Sequence, residues 1–289
     1  MLRWEQLREA VASSAGLGDN QSSPTDPRRE PSPMTPTTPE ILGADREALT
    51  RRPIGRPVMY QSWQKLLFLH WEVPAEPLRR LLPDGLELDQ FEGRAFVGLV
   101  PFTMRGIRPR GLPAVRGLSD FHETNVRTYV HHRGKRPGVW FFSLDAANAV
   151  GAALGRGWFG LPYFFARMSL KTEESEGGLR LSYASTRLYP GPRPATTRIE
   201  ALVRSTVELA TLGTLEYFLA ERYLLYSASK GGALSTGRVH HTPYPLQVAE
   251  VVGLDESLLA AAGIERPDVP PLVHYARGVD VEVFGLERL

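Results

Sequence analysis

Residues 121–130 read Phe-His-Glu-Thr-Asn-Val-Arg-Thr-Tyr-Val. Thr124, Val126, Thr128 and Val130 place β-branched residues at every second position, the pattern of a strand whose side chains point alternately to opposite faces. The other face then carries Glu123, Asn125, Arg127 and Tyr129. A carboxylate, an amide, a guanidinium and a phenol in one row have two readings. Facing water, they form an ordinary solvated strand with a cross-strand ion pair. Facing the inside of a barrel, they line a cavity, where Arg127 and Glu123 act as a pair. Arg127 holds an anionic group through its planar fork while Glu123 moves a proton.

Further segments on both sides read the same way. Residues 94–104, 139–146, 163–172, 179–189, 197–205, 223–229, 233–241 and 272–284 alternate or are rich in β-branched and aromatic residues, with turns such as GKRPG, EESEGG and KGG between them. Helices are few and short: Pro77–Leu82 before Pro83-Asp84-Gly85, Asn148–Leu154 ended by Gly155, and residues 215–223 capped by Thr214. Arg222 and Tyr223, at the end of that last helix, fit either a salt-bridged surface or a seal at one end of a barrel. The spacing predicts an α+β domain, largely antiparallel, built as a barrel or sandwich.

The chain has 289 residues and is 42% hydrophobic, enough for a sizeable core. Having no cysteine, it excludes disulfides, thiolate catalysis and cysteine-ligated zinc, and a cytoplasmic location is expected. A net charge of +2 excludes a polyanion-binding surface, so no nucleic-acid partner is expected. No run approaches the roughly 18 apolar residues of a membrane span, and the charged start MLRWEQLREAV is unlike a signal peptide. Residues 21–39, QSSPTDPRREPSPMTPTTP, cannot bury enough apolar surface to offset their ordering entropy. Residues 1–50 are therefore expected to be a disordered tail, with Met34 an alternative start, and residues 51–289 the domain.

There is no GxGxxG, P-loop, HExxH or GxSxG, so no cofactor is expected. His240 and His241 are adjacent and point to opposite faces of a strand, and no histidine spacing supplies three converging ligands, so no metal is expected. The expected partner is a small-molecule ligand; self-association is left open.

Several stretches carry a family resemblance: PVMYQSWQKLLFLHW (57–71), VPAEPLRRLLPDGL (73–86), GRAFVGLVPF (93–102), ETNVRTYV (123–130), LPYFFARM (161–168), GRVHHTPYPL (237–246) and HYARGVDVEVF (274–284). Together with Phe121, Glu123, Gly160 and Pro162, they resemble the YqjF-like family of uncharacterised proteins within the acetoacetate decarboxylase superfamily. The resemblance covers residues 50–289 and implies a cone-shaped barrel. In the decarboxylases, a lysine in a Gly-x-Pro-Lys-Lys turn forms a Schiff base with a β-keto acid. Tyr163 and Phe164 stand at those two positions here, and a phenol cannot replace an amine nucleophile. Of the four lysines, Lys135, Lys171 and Lys230 fall in or beside turns. Lys65, in an apolar strand pattern, is expected to send its ammonium to the barrel rim.

The expected function is therefore non-covalent action on a carboxylated or carbonyl compound. Arg127 clamps the anion, Glu123 exchanges a proton, Tyr163 donates a hydrogen bond to a carbonyl oxygen, and Asn125 and Tyr129 complete the wall. An enzyme of this kind would be a lyase- or isomerase-like acid/base catalyst. The alternative is a non-catalytic barrel that binds a hydrophobic metabolite.

Overall fold

The computed structural model describes residues 38–175, 177–229 and 231–289. The elements in chain order are α1 (Thr38–Thr50), β1 (Met59–Val73), α2 (Ala75–Arg79), β2 (Glu87–Leu88), β3 (Ala95–Pro109), β4 (Phe121–His132), β5 (Lys135–Ala146), α3 (Ala149–Phe159), β6 (Tyr163–Ser175), β7 (Gly178–Tyr189), β8 (Thr196–Leu209), α4 (Leu215–Ala220), β9 (Leu224–Ala228), β10 (Leu234–His240), β11 (Pro245–Glu256), α5 (Leu258–Ala261) and β12 (Leu272–Arg288). This is a mostly-sheet α+β fold. Among the described residues, no helix is long and apolar enough to cross a membrane.

The strands form one hydrogen-bonded sheet, ordered β10-β9-β5-β6-β7-β8-β11-β12-β1-β3-β4-β2, with further pairings β5–β4 and β10–β12. Pairs are antiparallel except β5–β6 and β5–β9. Both β5 and β12 pair with three neighbours each. The long β12 does so by using different stretches: residues 274–276 against β11 and 282–288 against β10.

β4 lies between β3 and β5, with Glu123 opposite Phe102 and Ala146, and Arg127 opposite Gly98 and Phe141. It is buried on both faces. Val126 joins Val97, Leu99, Leu181 and Ile199 in the largest apolar cluster, while Val100, Phe102 and Met104 of β3 belong to a second cluster on the opposite side of the sheet. Thr124 is hydrogen-bonded to the Tyr183 hydroxyl, and the Thr128 hydroxyl donates to the Phe96 carbonyl at 2.8 Å. The solvated-strand reading is thereby excluded.

Several elements differ from the sequence reading, and α2 runs over Ala75–Arg79 in place of Pro77–Leu82. α3 continues through Gly155 and ends at Gly160, whose φ of 63° only glycine adopts readily. α4 stops at Ala220, two residues before Arg222. β11 is missing from that reading because its apolar residues do not alternate: Leu246, Gln247 and Ala249 are buried while Val248 and Val252 are exposed. Lys65 sits at a β-bulge with φ of 55°, and its ammonium donates to the Thr172 hydroxyl at 3.1 Å.

The expected tail is corrected over its last residues: Thr38–Thr50 is helix α1, docked on the domain. Leu42 is buried, Leu49 packs against the cluster of Leu86, Val130 and Leu224, the Asp45 carboxylate accepts from the Arg136 amide at 2.7 Å, and Arg46 pairs with buried Asp89. Adjoining proline-rich composition masked these anchors. Residues 1–37, including Met34, lie outside the described residues.

Deleting α1 removes a buried leucine and one arm of a buried ion pair. A chain beginning at Arg51 should lose about 2 kcal/mol or more, which corresponds to a melting-temperature drop of at least about 4 °C. A chain beginning at Thr37 should melt with the full-length protein. Thermal denaturation of the three chains checks this.

Candidate ligand-binding cavity

A cavity of about 380 Å³ opens beside β4. Its polar lining includes Glu123, Asn125 and Arg127, with Tyr163 from β6, Arg222 from the segment after α4, Gln61 and Ser119. The apolar wall includes Trp63, Leu66, Met104, Val239 and Val283. At the mouth, Pro113 and Val115 of the β3–β4 connection and Val150 of α3 line the cavity while remaining exposed.

Period-two geometry sends Glu123, Asn125 and Arg127 to the same side as Val100 and Phe102 of β3. Gly98 faces Arg127 across the pair; a Cβ there would stand 3.0 Å from the His70 ring and 3.4 Å from Arg127 Cγ. At the other end, a Cβ on Gly155 would fall 2.5 Å from the Tyr163 ring, so α3 lies directly on that ring because residue 155 has no side chain.

Glu123 is only 1% exposed and one of its carboxyl oxygens, Oε2, has no partner. Its pKa is raised to about 8, chiefly by burial, with hydrogen bonding to Tyr163 opposing the rise and the nearby charge of Asp145 adding to it. At neutral pH Glu123 is therefore mostly a neutral acid. The Tyr163 phenol is pushed well above its ordinary value by its own burial and then by Glu123, so it stays a hydrogen-bond donor.

The Arg127 guanidinium is 8% exposed. Its Nη2 donates to the Leu219 carbonyl at 2.9 Å, and its Nε has no partner. Among the described residues, no carboxylate lies within ion-pair distance of it. The expected Arg127–Glu123 pair does not form. Four residues of extended chain separate the two by about 13 Å, beyond the reach of an ion pair. Two buried carboxylates are paired elsewhere: Arg187 grips Asp145 through two bonds of 2.7 Å and stacks on Phe164, and Asp89 accepts from Arg222 at 2.7 Å and from Arg46.

Tyr129 is also displaced from its expected place. It shares the β4 face but does not line the cavity; its hydroxyl donates to the Leu219 carbonyl and meets His70 Nε2, both at 2.7 Å. Its ring backs the Arg222 guanidinium at 4.7 Å. Arg222 lines the cavity, whereas the sequence left it open between a surface and a seal; nothing in the sequence signalled its partner Asp89. Lys65, Lys135 and Lys171 are absent from the cavity wall, and Lys230 lies outside the described residues. Among the described residues, no three His, Asp or Glu side chains converge in metal-binding geometry.

Residues 60–280 match DUF2071, a family described as an uncharacterised conserved protein. The uncharacterised protein YqjF of Bacillus subtilis (strain 168) is 38% identical over 236 residues, covering 82% of this chain and 94% of YqjF. This chain belongs to the DUF2071 family. Three solved structures share its fold at low identity. The enduracididine biosynthesis enzyme MppR complexed with pyruvate is 14% identical with a TM-score of 0.56, over 81% of this chain and 91% of MppR. An acetoacetate decarboxylase-like enzyme from Sphingomonas wittichii RW1 is 14% identical with a TM-score of 0.56, over 81% and 94%. The acetoacetate decarboxylase of Legionella pneumophila is 16% identical with a TM-score of 0.55, over 86% and 95%. The DUF2071 chain thus has an acetoacetate decarboxylase-like fold.

The raised Glu123 pKa has a pH signature in this DUF2071 protein. The folded state keeps the proton up to about pH 8 while the unfolded chain releases it near 4.5, so this contribution to stability is full below 4.5 and is lost as pH rises to 8. Glu123→Gln lacks that loss. Between pH 4 and pH 9 its stability relative to wild type should rise by roughly 3–5 kcal/mol, measured as denaturant midpoints. A gap that does not move with pH would mean that Glu123 titrates as a solvated carboxylate.

Proposed function

We propose that this protein binds a carboxylated or carbonyl compound non-covalently and acts on it by proton transfer. Under this reading the returning strand pairings form a closed, cone-shaped barrel around the cavity. The observation that carries it is Arg127, a buried guanidinium without a carboxylate partner on the polar wall of a cavity lined mainly by apolar residues. A desolvated cation held in that way is suited to an anion that arrives with the ligand. The fold neighbour MppR has been seen with pyruvate, a small carboxylated carbonyl compound, which supports the class.

In this mechanism Arg127 anchors the carboxylate and needs no covalent partner. Glu123, neutral below about pH 8, delivers a proton to a basic oxygen or carbon and takes it back as the carboxylate. Tyr163 donates a hydrogen bond to the same oxygen, and its suppressed ionisation keeps that proton in place across the working range. The activity should fall as pH rises past about 8, when the acid is lost.

Replacing Arg127 tests the anchor. Arg127→Met exchanges a desolvated cation with one protein hydrogen bond for an apolar chain of similar reach, so stability should change by no more than about 1 kcal/mol. Carboxylate binding should be lost. A destabilisation of several kcal/mol with unchanged binding would make Arg127 a structural residue. Glu123→Gln tests the chemistry: deuterium exchange at the carbon next to the carbonyl of a bound oxo acid should disappear while binding persists. Exchange that survives the change removes Glu123 from the mechanism; exchange absent in wild type favours the non-catalytic hydrophobic-metabolite reading.

A further inference from the structure

The polar wall of the cavity is a line along one strand. Arg127, Asn125 and Glu123 occupy alternate positions of β4, about 7 Å apart per step and about 13 Å from end to end. Each has a buried polar atom without a partner: Arg127 Nε, Asn125 Oδ1 and Glu123 Oε2. The line has a direction. Tyr129 and the Leu219 carbonyl close the Arg127 end, while the Glu123 end leads toward Pro113, Val115 and Val150, which are apolar and exposed.

A short oxo acid such as pyruvate carries its carboxylate and its carbonyl on neighbouring carbons. It reaches across one step of this line at most, leaving either Glu123 or Arg127 unanswered. The wall opposite is mostly apolar, with Gln61 and the unpartnered Trp63 Nε1 among its few polar groups, and its apolar stretches suit methylene groups. The exposed apolar mouth continues that surface outward.

We propose that the ligand is an elongated carboxylic acid with a mid-chain oxygen, seated head-first with its carboxylate on Arg127, its oxygen beside Asn125 and Glu123, and its apolar end toward Val115 and Val150. This deepens the function proposed above and rests on Arg127 being the anion anchor. The acid enters through the apolar mouth and replaces water along the whole wall. Acetate-sized acids occupy only the deep end.

Isothermal titration of the full chain with pyruvate, hexanoate, decanoate, decanol and a decanoate bearing a hydroxyl near its middle separates the possibilities. Affinity should rise roughly threefold per methylene from hexanoate to decanoate. The hydroxylated decanoate should bind more tightly than decanoate, and Asn125→Leu should abolish that advantage. Arg127→Met should weaken every acid by roughly tenfold or more and leave decanol unaffected. Pyruvate binding as tightly as decanoate, with the Arg127 dependence intact, overturns the elongated-acid inference and leaves the anion anchor standing. A hydroxyl that weakens binding overturns the mid-chain oxygen. Decanol matching decanoate, or no acid binding at all, overturns the anchor and this inference together. If Arg127→Met does not fold, the length series and the decanol comparison on wild-type protein decide the same questions.

Discussion

Protein covers both faces of β4, and that constraint governs where its polar residues go. On one face Thr124 and Thr128 satisfy their hydroxyls on Tyr183 and on the Phe96 carbonyl, and Val126 enters the largest apolar cluster. On the other, Glu123, Asn125 and Arg127 reach a cavity and retain unpartnered atoms. An unpartnered buried polar group costs about 1–3 kcal/mol. Three in a row on one strand is a cost that a fold built for stability alone would have removed with apolar residues.

The handling of charge makes the same division. Asp145 with Arg187, and Asp89 with Arg46 and Arg222, are buried and joined as ion pairs, while Arg46 Nε and Arg222 Nη2 keep no partner. Pairing of this kind is what allows a charge to be buried at all. Arg127 stands outside both sets and rests on one carbonyl and on the faces of Phe68 and Tyr129. In the proposed function, Arg127 is the charge offered to the cavity, while Asp89 holds Arg222 on the same wall. Asp145 has a second role, since its charge also helps to keep Glu123 protonated.

In the proposed function, Tyr163 sets the chemistry apart from imine formation. The phenol takes the place that the family resemblance assigns to an amine, and α3 lies against its ring because residue 155 is glycine. Burial then holds both Tyr163 and Glu123 in their protonated forms. Two neutral donors side by side suit an oxygen acceptor that gains charge, a different task from attack on a carbonyl carbon.

The strand pattern, the few short helices, the identity of the polar β4 face and the loss of the lysine were legible in the chain, because side-chain alternation and residue type are local properties. The sequence by itself determined that Glu123, Asn125 and Arg127 share a side. Which side faced protein, cavity or water was decided only by the layers that β3, β5 and β7 bring from elsewhere in the chain. Distance was likewise a tertiary matter: the expected Arg127–Glu123 pair failed because an extended strand keeps them about 13 Å apart, while Arg222 found Asp89 across more than a hundred residues. Helix α1 and strand β11 escaped the reading for a related reason. The anchors of α1 are contacts to distant Asp89 and Arg136, and β11 buries Gln247, whose amide donates to the Arg204 carbonyl of β8, while exposing Val248 and Val252. Local pattern selects the element; long-range packing selects which of its faces is worth burying.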